Sequence, residues 1–376
     1  MKKFNLMQIV PSLQSGGVEQ GTIDVANYLA ETEIKNYIAS CGGQMLSFLN
    51  ERYVKHYTVP VHSKNFLKIP FIAKKINLLI KENNINILHI RSRAPAWLLP
   101  FIDKKNLNTV STFHNVYGHQ NIIKKLYNKG LAKADYIVAI SKYVKEEVIK
   151  HYKINQKKII VINRGIDTDF YDAKIHEEIN YNNFIKRKNI LFDKKIILYP
   201  GRLTEWKGQL KFLNIVEKLK DSPYIFYFAG DDKNIIYTKK LTNEIRKKNL
   251  DYNCKILGHL DKNELKMMYY CSDLIISAPL KAEGFGRIVS ESLAMKKMVI
   301  AYNFGGIKNQ LEDLDDIYKI SEHNHEELIK KIQLILNSPL EDFNKLKQNG
   351  REHVVKHFSK KQMLQKYFNL YQRILS

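Results

Sequence analysis

Short apolar runs recur along the chain, each a strand's length, with helix-sized stretches between them. In the first half they fall at residues 4–10, 85–90, 109–113, 136–140 and 159–162, and in the second at 196–199, 224–229, 255–257, 273–278 and 298–302. Runs this uniformly apolar suit strands buried on both faces, and their alternation with helices predicts parallel sheets covered on both sides. Residues 163–195 break the rhythm: they are polar, open on Arg164-Gly165-Ile166-Asp167 and carry a basic stretch at 186–188, which reads as an interdomain connection. The final segment, 360–375, places Met363, Leu364, Tyr367, Phe368, Leu370, Tyr371 and Ile374 at helical spacing, so one face of that helix needs a core to cover it.

A chain of 376 residues is too long for one typical core and suits two domains with a cleft between them. Hydrophobic residues make up 44% and charged residues 26%, the composition of a globular protein. The formal net charge of +23 attracts phosphorylated substrates, nucleic acid or anionic lipid without choosing among them. Basic and apolar residues mix at near-helical spacing at 64–81 and 121–133, and such segments can rest on an anionic membrane. The competing reading is a solvated lysine face on a core helix. Cys41, Cys254 and Cys271 are too few and too far apart for a disulfide framework, which favours a reducing, cytoplasmic setting. Lys2 and Lys3 precede the run 4–10, which reads as a first strand and not a leader. The longest apolar window, 94–102, falls short of a membrane span, so any membrane contact is expected to be peripheral.

Three loops carry the candidate chemistry. The segment KAEGFGRIVSESLAM lies between the runs 273–278 and 298–302 and makes a strand, loop, helix, strand unit. Ligands bind beyond the carboxyl ends of such strands, where a helix start offers unpaired N–H groups. Glu283 falls in that loop, Gly284 and Gly286 permit close backbone approach, and Glu291 lies a turn and a half into the helix. The run 196–199 leads into Pro200-Gly201-Arg202-Leu203-Thr204-Glu205-Trp206-Lys207-Gly208. There a guanidinium fork and an ammonium at one mouth suit a diphosphate. In the first half, Gly16 and Gly17 precede a helix over 18–29, and His114 ends the run 109–113, placed to bond a substrate hydroxyl or carry a proton. Arg91 and Arg93 follow another run and could meet an acidic acceptor or form structural pairs.

Other chemistries are weaker. The glycine pair at 16–17 matches neither GxGxxG nor GxxxxGK[ST], which disfavours nicotinamide or ATP. Asp167-Thr168-Asp169 spells DxD but sits in the connection, and no HExxH, CxxC or EF-hand pattern occurs, so no metal is expected. Paired carboxylates at 283 and 291 could serve a hydrolase, but Arg202 and Lys207 aimed at the same place favour a phosphate-bearing donor.

Together, SGGVE, TFHNVYG, RGIDTDF, GRLTEWKGQ, FAGDD and EGFGRIVSES with its E-x7-E spacing resemble the family 4 retaining glycosyltransferases of the GT-B fold. RSRAPAW and TFHNVYG look like the subgroup serving bacterial lipopolysaccharide and surface glycan assembly. The resemblance implies two Rossmann-like domains facing each other across a cleft, 1–165 plus 360–376 on the acceptor side and 166–359 on the donor side, with the C-terminal helix crossing back to the first. It implies that Arg202 and Lys207 bind the donor diphosphate at the Gly201 turn, and that Glu291 binds the ribose. Glu283 with the amides of Gly284, Phe285 and Gly286 would hold the donor sugar, Gly16 and Gly17 would line the phosphate and acceptor side, and His114 would contact the sugar. The expected substrates are a nucleotide-sugar donor and a lipid-linked or oligosaccharide acceptor, with no metal, no cofactor and no nucleic acid. After Gly305-Gly306 the sequence reads Ile307-Lys308-Asn309, where the family often carries an acidic motif. Rival readings are an epimerase or phosphorylase on the same fold, or a polyanion binder using Tyr171, Tyr181 and Phe184 among the basic residues of the connection.

Overall fold

The computed structural model describes residues 4–118, 122–173 and 178–375, so Lys2, Lys3, Asn121 and part of the expected connection lie outside the described residues. The chain forms two compact units, Met1–Gly165 with Lys361–Ser376, and Ile166–Lys360.

The first unit holds a seven-stranded sheet: β1 (Leu6–Ile9), β2 (Asn36–Ser40), β3 (Val54–Thr58), β4 (Ile87–Ile90), β5 (Asn108–Phe113), β6 (Tyr136–Ala139) and β7 (Ile159–Val161). Their order is β3-β2-β1-β4-β5-β6-β7, and every pair is parallel. The second unit has β8 (Lys195–Pro200), β9 (Tyr224–Ala229), β10 (Cys254–Gly258), β11 (Leu274–Ser277), β12 (Met298–Tyr302) and β13 (Lys319–Ile320). Their order is β10-β9-β8-β11-β12-β13, again parallel throughout. In both sheets the chain starts at the middle, winds to one edge and then reverses. The switch points fall beside β1 and β8, the strands that lead into SGGVE and GRLTEWKG.

Each expected run forms a strand. β2, β3 and β13 were not anticipated, because β2 opens on a buried polar residue, Asn36, whose amide donates to Ala26 O (3.1 Å), while β3 and β13 are edge strands with little apolar run. The expected connection also differs: residues 178–188 form a helix within the second unit, with Phe184 and then Ile190 buried. Its polar composition hides a single seated face. Phe184 and Tyr171 are therefore core residues, and Tyr181 packs its ring edge-on against Tyr270, which removes the aromatic support for a polyanion binder.

The chain passes between the units twice, after Gly165 and after Lys360. Ile166 N–H donates to Phe358 O and Lys360 N–H to Ile166 O, both at 2.7 Å. Asp167 accepts from Lys360 Nζ at 2.5 Å and from Phe170 N–H at 3.1 Å. Asp167, the first acid of the DxD string, is thus spent on structural bonds.

The helix Lys360–Ile374 completes the first unit, burying Met363, Leu364, Tyr367, Leu370, Tyr371 and Ile374 against Phe4, Leu6, Leu29, Ile87 and Val110. Its polar anchor is His89, fully buried on β4, whose Nδ1 meets Tyr371 Oη and whose Nε2 meets Thr112 Oγ1, both at 2.7 Å. Burial, then the neighbouring Arg91 charge, hold the imidazole well below its ordinary pKa. His89 is neutral when folded and titrates normally when unfolded, so below pH ~6.5 the unfolded chain binds a proton that the folded chain refuses. Stability is therefore expected to fall by about 1.4 kcal/mol per pH unit from this group as pH drops below ~6.5. Urea unfolding of wild type and His89→Gln between pH 7 and pH 5 checks it: the slope should be shallower in the variant, and equal slopes would refute the assignment.

Candidate functional site

β8 leads into Gly201, whose φ of +144° turns the chain sharply. The turn runs so close to the end of β9 that a Cβ on Gly230 would lie 2.0 Å from Gly201 O. Gly201 N–H donates to Ala229 O (2.7 Å) and Leu203 N–H to Asp231 O (2.9 Å). The buried Gln209 amide donates to Gly201 O and Arg202 O at 3.3 and 3.1 Å, with Tyr237 Oη bonded to its other end. The turn is fixed at both edges. Arg202 projects into solvent from it, its guanidinium 5.9 Å from the Trp206 ring centre. Lys207 instead folds back, its stem passing Gly201, and its Nζ meets Glu283 Oε1 at 2.7 Å and lies 4.7 Å from the Trp206 ring centre.

The loop carrying Glu283 is as tightly built. Gly306 N–H donates to Glu283 O (2.8 Å), and a Cβ on Gly306 would lie 2.4 Å from Gly284 O. Gly286, at φ +89°, starts the helix Arg287–Ala294 with no side-chain cap, leaving first-turn amides available to an anion. The Gln310 amide donates to Phe285 O and to Gly286 O, and Ser290 Oγ donates back to Gln310. Phe285 is buried against Phe358, so its side chain is an anchor and only its amide can serve a ligand.

Glu291 faces a different set of partners. Arg287 reaches Oε1 from Nε (3.1 Å) and Nη2 (2.9 Å), and Tyr269 Oη donates to Oε2 at 3.0 Å. The carboxylate is 6% exposed. Burial first, then this charge, push the phenols of Tyr269 and Tyr171 well above their usual range, and the same charge raises the Arg287 pKa. The structure thus joins Lys207 to Glu283 directly and keeps Glu291 in a separate network. Arg287 escaped the sequence reading, although its i,i+4 spacing to Glu291 was the available signal.

In the first unit, Gly16 (φ +124°) and Gly17 begin the helix Gly17–Glu31, again without a side-chain cap. The Arg164 guanidinium donates to Gly17 O, and through Nη2 to His114 Nδ1 at 3.0 Å. A guanidinium has no lone pair to offer, so Nδ1 accepts and the imidazole proton sits on Nε2. That Nε2 is buried and, among the described residues, makes no hydrogen bond of good geometry, with the Arg91 backbone the polar group near the ring. Burial, then the charges of Arg164 and Arg91, hold His114 well below its ordinary pKa. The imidazole is held neutral there, with its Nε2–H as the group it can offer a ligand. Arg164 is a residue whose role the sequence did not reveal, because 147 positions separate it from Gly17.

Arg91 and Arg93 turn inward. Arg91, 2% exposed, donates to Gln8 Oε1 (2.8 Å) and Gly21 O (3.2 Å) and lies 4.8 Å from the Tyr367 ring centre. Arg93 donates to Asn128 Oδ1 at 3.2 Å and stacks on Tyr117. Neither waits for an acidic acceptor. Among the described residues no group of three or more His, Cys, Asp or Glu could hold a metal ion. A cavity of about 520 Å³ in the second unit, lined by Asp169, Phe170, Arg187 and Glu264, includes none of the site residues.

Residues 15–170 match the model of Glycosyltransferase Family 4, and residues 181–353 match Glycosyl transferases group 1. A crystal structure of a glycosyltransferase from Rickettsia africae is 34% identical and aligns over 100% of both chains with a TM-score of 0.89. HepE of Anabaena, solved with UDP and glucose, is 16% identical over 98% of this chain and 99% of its own, with a TM-score of 0.81. The lipopolysaccharide outer core galactosyltransferase WaaB is 13% identical over 98% of this chain and 100% of its own, with a TM-score of 0.71. With two parallel Rossmann-like units, the GRLTEWKG turn on β8 and the E-x7-E loop on β11, this chain belongs to the family 4 glycosyltransferases of the GT-B fold.

Proposed function

We propose that the protein is a retaining hexosyltransferase that moves a sugar from a nucleoside diphosphate to a lipid-linked or oligosaccharide acceptor, in lipopolysaccharide or surface glycan assembly on the cytoplasmic face of a membrane. The observation that carries this reading is the 2.7 Å ion pair between Lys207 and Glu283, with Arg202 on the same turn. It holds a cation for a diphosphate and an acid for sugar hydroxyls side by side. The likeness to HepE, solved with UDP and glucose, supports a nucleotide-sugar donor, and the likeness to WaaB supports the lipopolysaccharide setting.

In this reading the Lys207 ammonium and Arg202 guanidinium take the diphosphate, while Glu283 and the amides of Gly284, Phe285 and Gly286 hold the sugar. Glu291, oriented by Arg287 and Tyr269, has lone pairs left for the ribose hydroxyls. Gly201, Gly16 and Gly17 let backbone approach the phosphate groups. His114 donates its Nε2 proton to a sugar oxygen and takes no proton in the reaction. The sugar C1–O bond to phosphate breaks, the acceptor oxygen bonds C1 on the same face, and the acceptor proton passes to the departing phosphate oxygen. Lys207 and Arg202 stabilise the charge that gathers on that phosphate, so the proposal involves no metal.

A thermal-shift panel of nucleoside diphosphate sugars tests the donor class: a ligand at ~100 times its Kd should add ~2.7 kcal/mol of stability, and no shift with any of them would sink the reading. Lys207→Ala should slow transfer by a barrier of about 2–4 kcal/mol, measured as steady-state turnover with purified acceptor, and near-wild-type turnover would remove Lys207 from the mechanism. The two glutamates should separate kinetically. Glu291→Gln is expected chiefly to raise KM for the donor and Glu283→Gln chiefly to lower kcat, and the reverse pattern would exchange their roles.

A further inference from the structure

The first unit carries apolar side chains that its own core does not use. The helix Ile69–Glu82 buries Ile69, Ile72, Ala73, Ile76 and Leu79, a complete inward stripe. Yet Leu67 just before it and Phe71 within it are 81% and 77% exposed. The helix Ile122–Asn128 is more extreme, since its one buried residue is Asn128 while Ile122 and Ile123 are 84% and 78% exposed. This helix seats no apolar residue of its own, and its segment reaches the core only through Leu131 in the turn that follows.

Trp97 makes one surface of the two segments. The Phe66 ring meets it edge-on at 5.5 Å, Tyr127 stacks on it at 6.3 Å, and its Nε1–H donates to Tyr127 O at 3.0 Å. The segments around 66, 97 and 122 follow β3, β4 and β5, so they leave the carboxyl edge of the parallel sheet, the edge that also presents Gly16, Gly17 and His114. Charge gives the surface its partner. Residues 64–81 carry five lysines and 122–133 carry four, and neither segment contains Asp or Glu. No helix among the described residues is long and apolar enough to cross a membrane.

We infer that this surface, formed by Phe66, Leu67, Phe71, Ile122, Ile123 and Leu126 within a lysine field, is where the enzyme rests on an anionic lipid bilayer. The apolar side chains enter the interface while the lysines, Lys68, Lys124 and Lys125 among them, remain at the headgroup level. It places the glycine turn and His114 on the edge nearest the lipid. The inference deepens the proposed lipid-linked acceptor by naming the face that would bring the enzyme to it, but it does not depend on the donor assignment.

The test is co-sedimentation of the full chain with vesicles of phosphatidylethanolamine and phosphatidylglycerol, and with vesicles of phosphatidylcholine, at low and high salt. Wild type should bind the anionic vesicles, weaken with salt and ignore the zwitterionic ones. Lys124→Gln with Lys125→Gln should lose about 25-fold in affinity, about fivefold per lysine near the surface. Leu67→Ser with Phe71→Ser, and Ile122→Ser with Ile123→Ser, should each lose roughly tenfold even where salt is low. All three variants alter exposed positions, so each should keep wild-type thermal shifts with nucleoside diphosphate sugars. No binding to anionic vesicles, binding equal on both vesicle types, or variants indistinguishable from wild type would overturn the inference. So would sedimentation velocity showing a dimer that the Ile122 and Ile123 changes dissolve, since a second copy would then cover the face. Vesicle binding without any nucleotide-sugar response would overturn the proposed function and leave this inference standing.

Discussion

Both sheets are parallel throughout, and that constraint decides where chemistry can sit. Parallel strands present all their carboxyl ends on one edge, and each must be followed by a loop that turns into a helix. In the second unit this brings the loops after β8 and β11, adjacent in the sheet but 76 residues apart at Lys207 and Glu283, within hydrogen-bonding distance. Arg202 and the amides around Gly286 share the edge for the same reason. No long-range signal is needed to assemble them beyond the strand order itself.

Holding a lysine and a glutamate together away from water is costly unless both stay paired. The pair is kept together by loops whose backbone is bonded on both sides. Gln209 and Gln310 play parallel roles, each buried and each spending its amide on two successive carbonyls, of Gly201 and Arg202 in one loop and of Phe285 and Gly286 in the other. Where the loops pass nearest to other backbone, at Gly230 and Gly306, any side chain would collide with a carbonyl. The ion pair is therefore presented by two loops whose backbone is tied down by these buried amides. Glu291 shows the complementary arrangement, a carboxylate oriented by Arg287 and Tyr269 from its own helix and the preceding one.

What the sequence made legible follows from this. Apolar runs mark strands buried on both faces, so the central strands were readable, whereas β2 begins on a buried Asn36 and β3 alternates at an edge, where the run signal disappears. Glycine-rich turns after those strands marked the Lys207 and Glu283 loops because close backbone approach demands glycine. The connection was misjudged because the helix Glu178–Lys188 seats itself through Phe184 and shows polar residues elsewhere. Arg164 and Arg287 were hidden for different reasons. Arg287 was within reach of a helical spacing rule, but the pairing of Arg164 with His114 and Gly17 is set by how β5 and the end of the first unit are packed, which no local pattern encodes. The outward Ile122 and Ile123 illustrate the same limit, since periodicity identifies an apolar face and says nothing about what covers it.

The C-terminal helix ties these observations to one another. Its apolar face closes the core over Phe4, Leu6 and Ile87, and its polar contacts reach β4, where Tyr371 meets His89 and the Tyr367 ring lies over Arg91. Arg91 in turn donates to Gly21 O in the helix that Gly17 begins, and Met363 Sδ accepts from Gly165 N–H beside Arg164. The helix Lys360–Ile374 thus supports the groups that surround Arg164 and His114. Strands β1 to β7 precede it in the chain, yet the core that includes Phe4 and Val110, partly covered by Val25 and Leu29 of the helix Gly17–Glu31, is completed by residues 363–374. Because residues 361–374 follow the second unit in the chain, their contribution to the first unit's core can be added only after the second unit's residues have been synthesised.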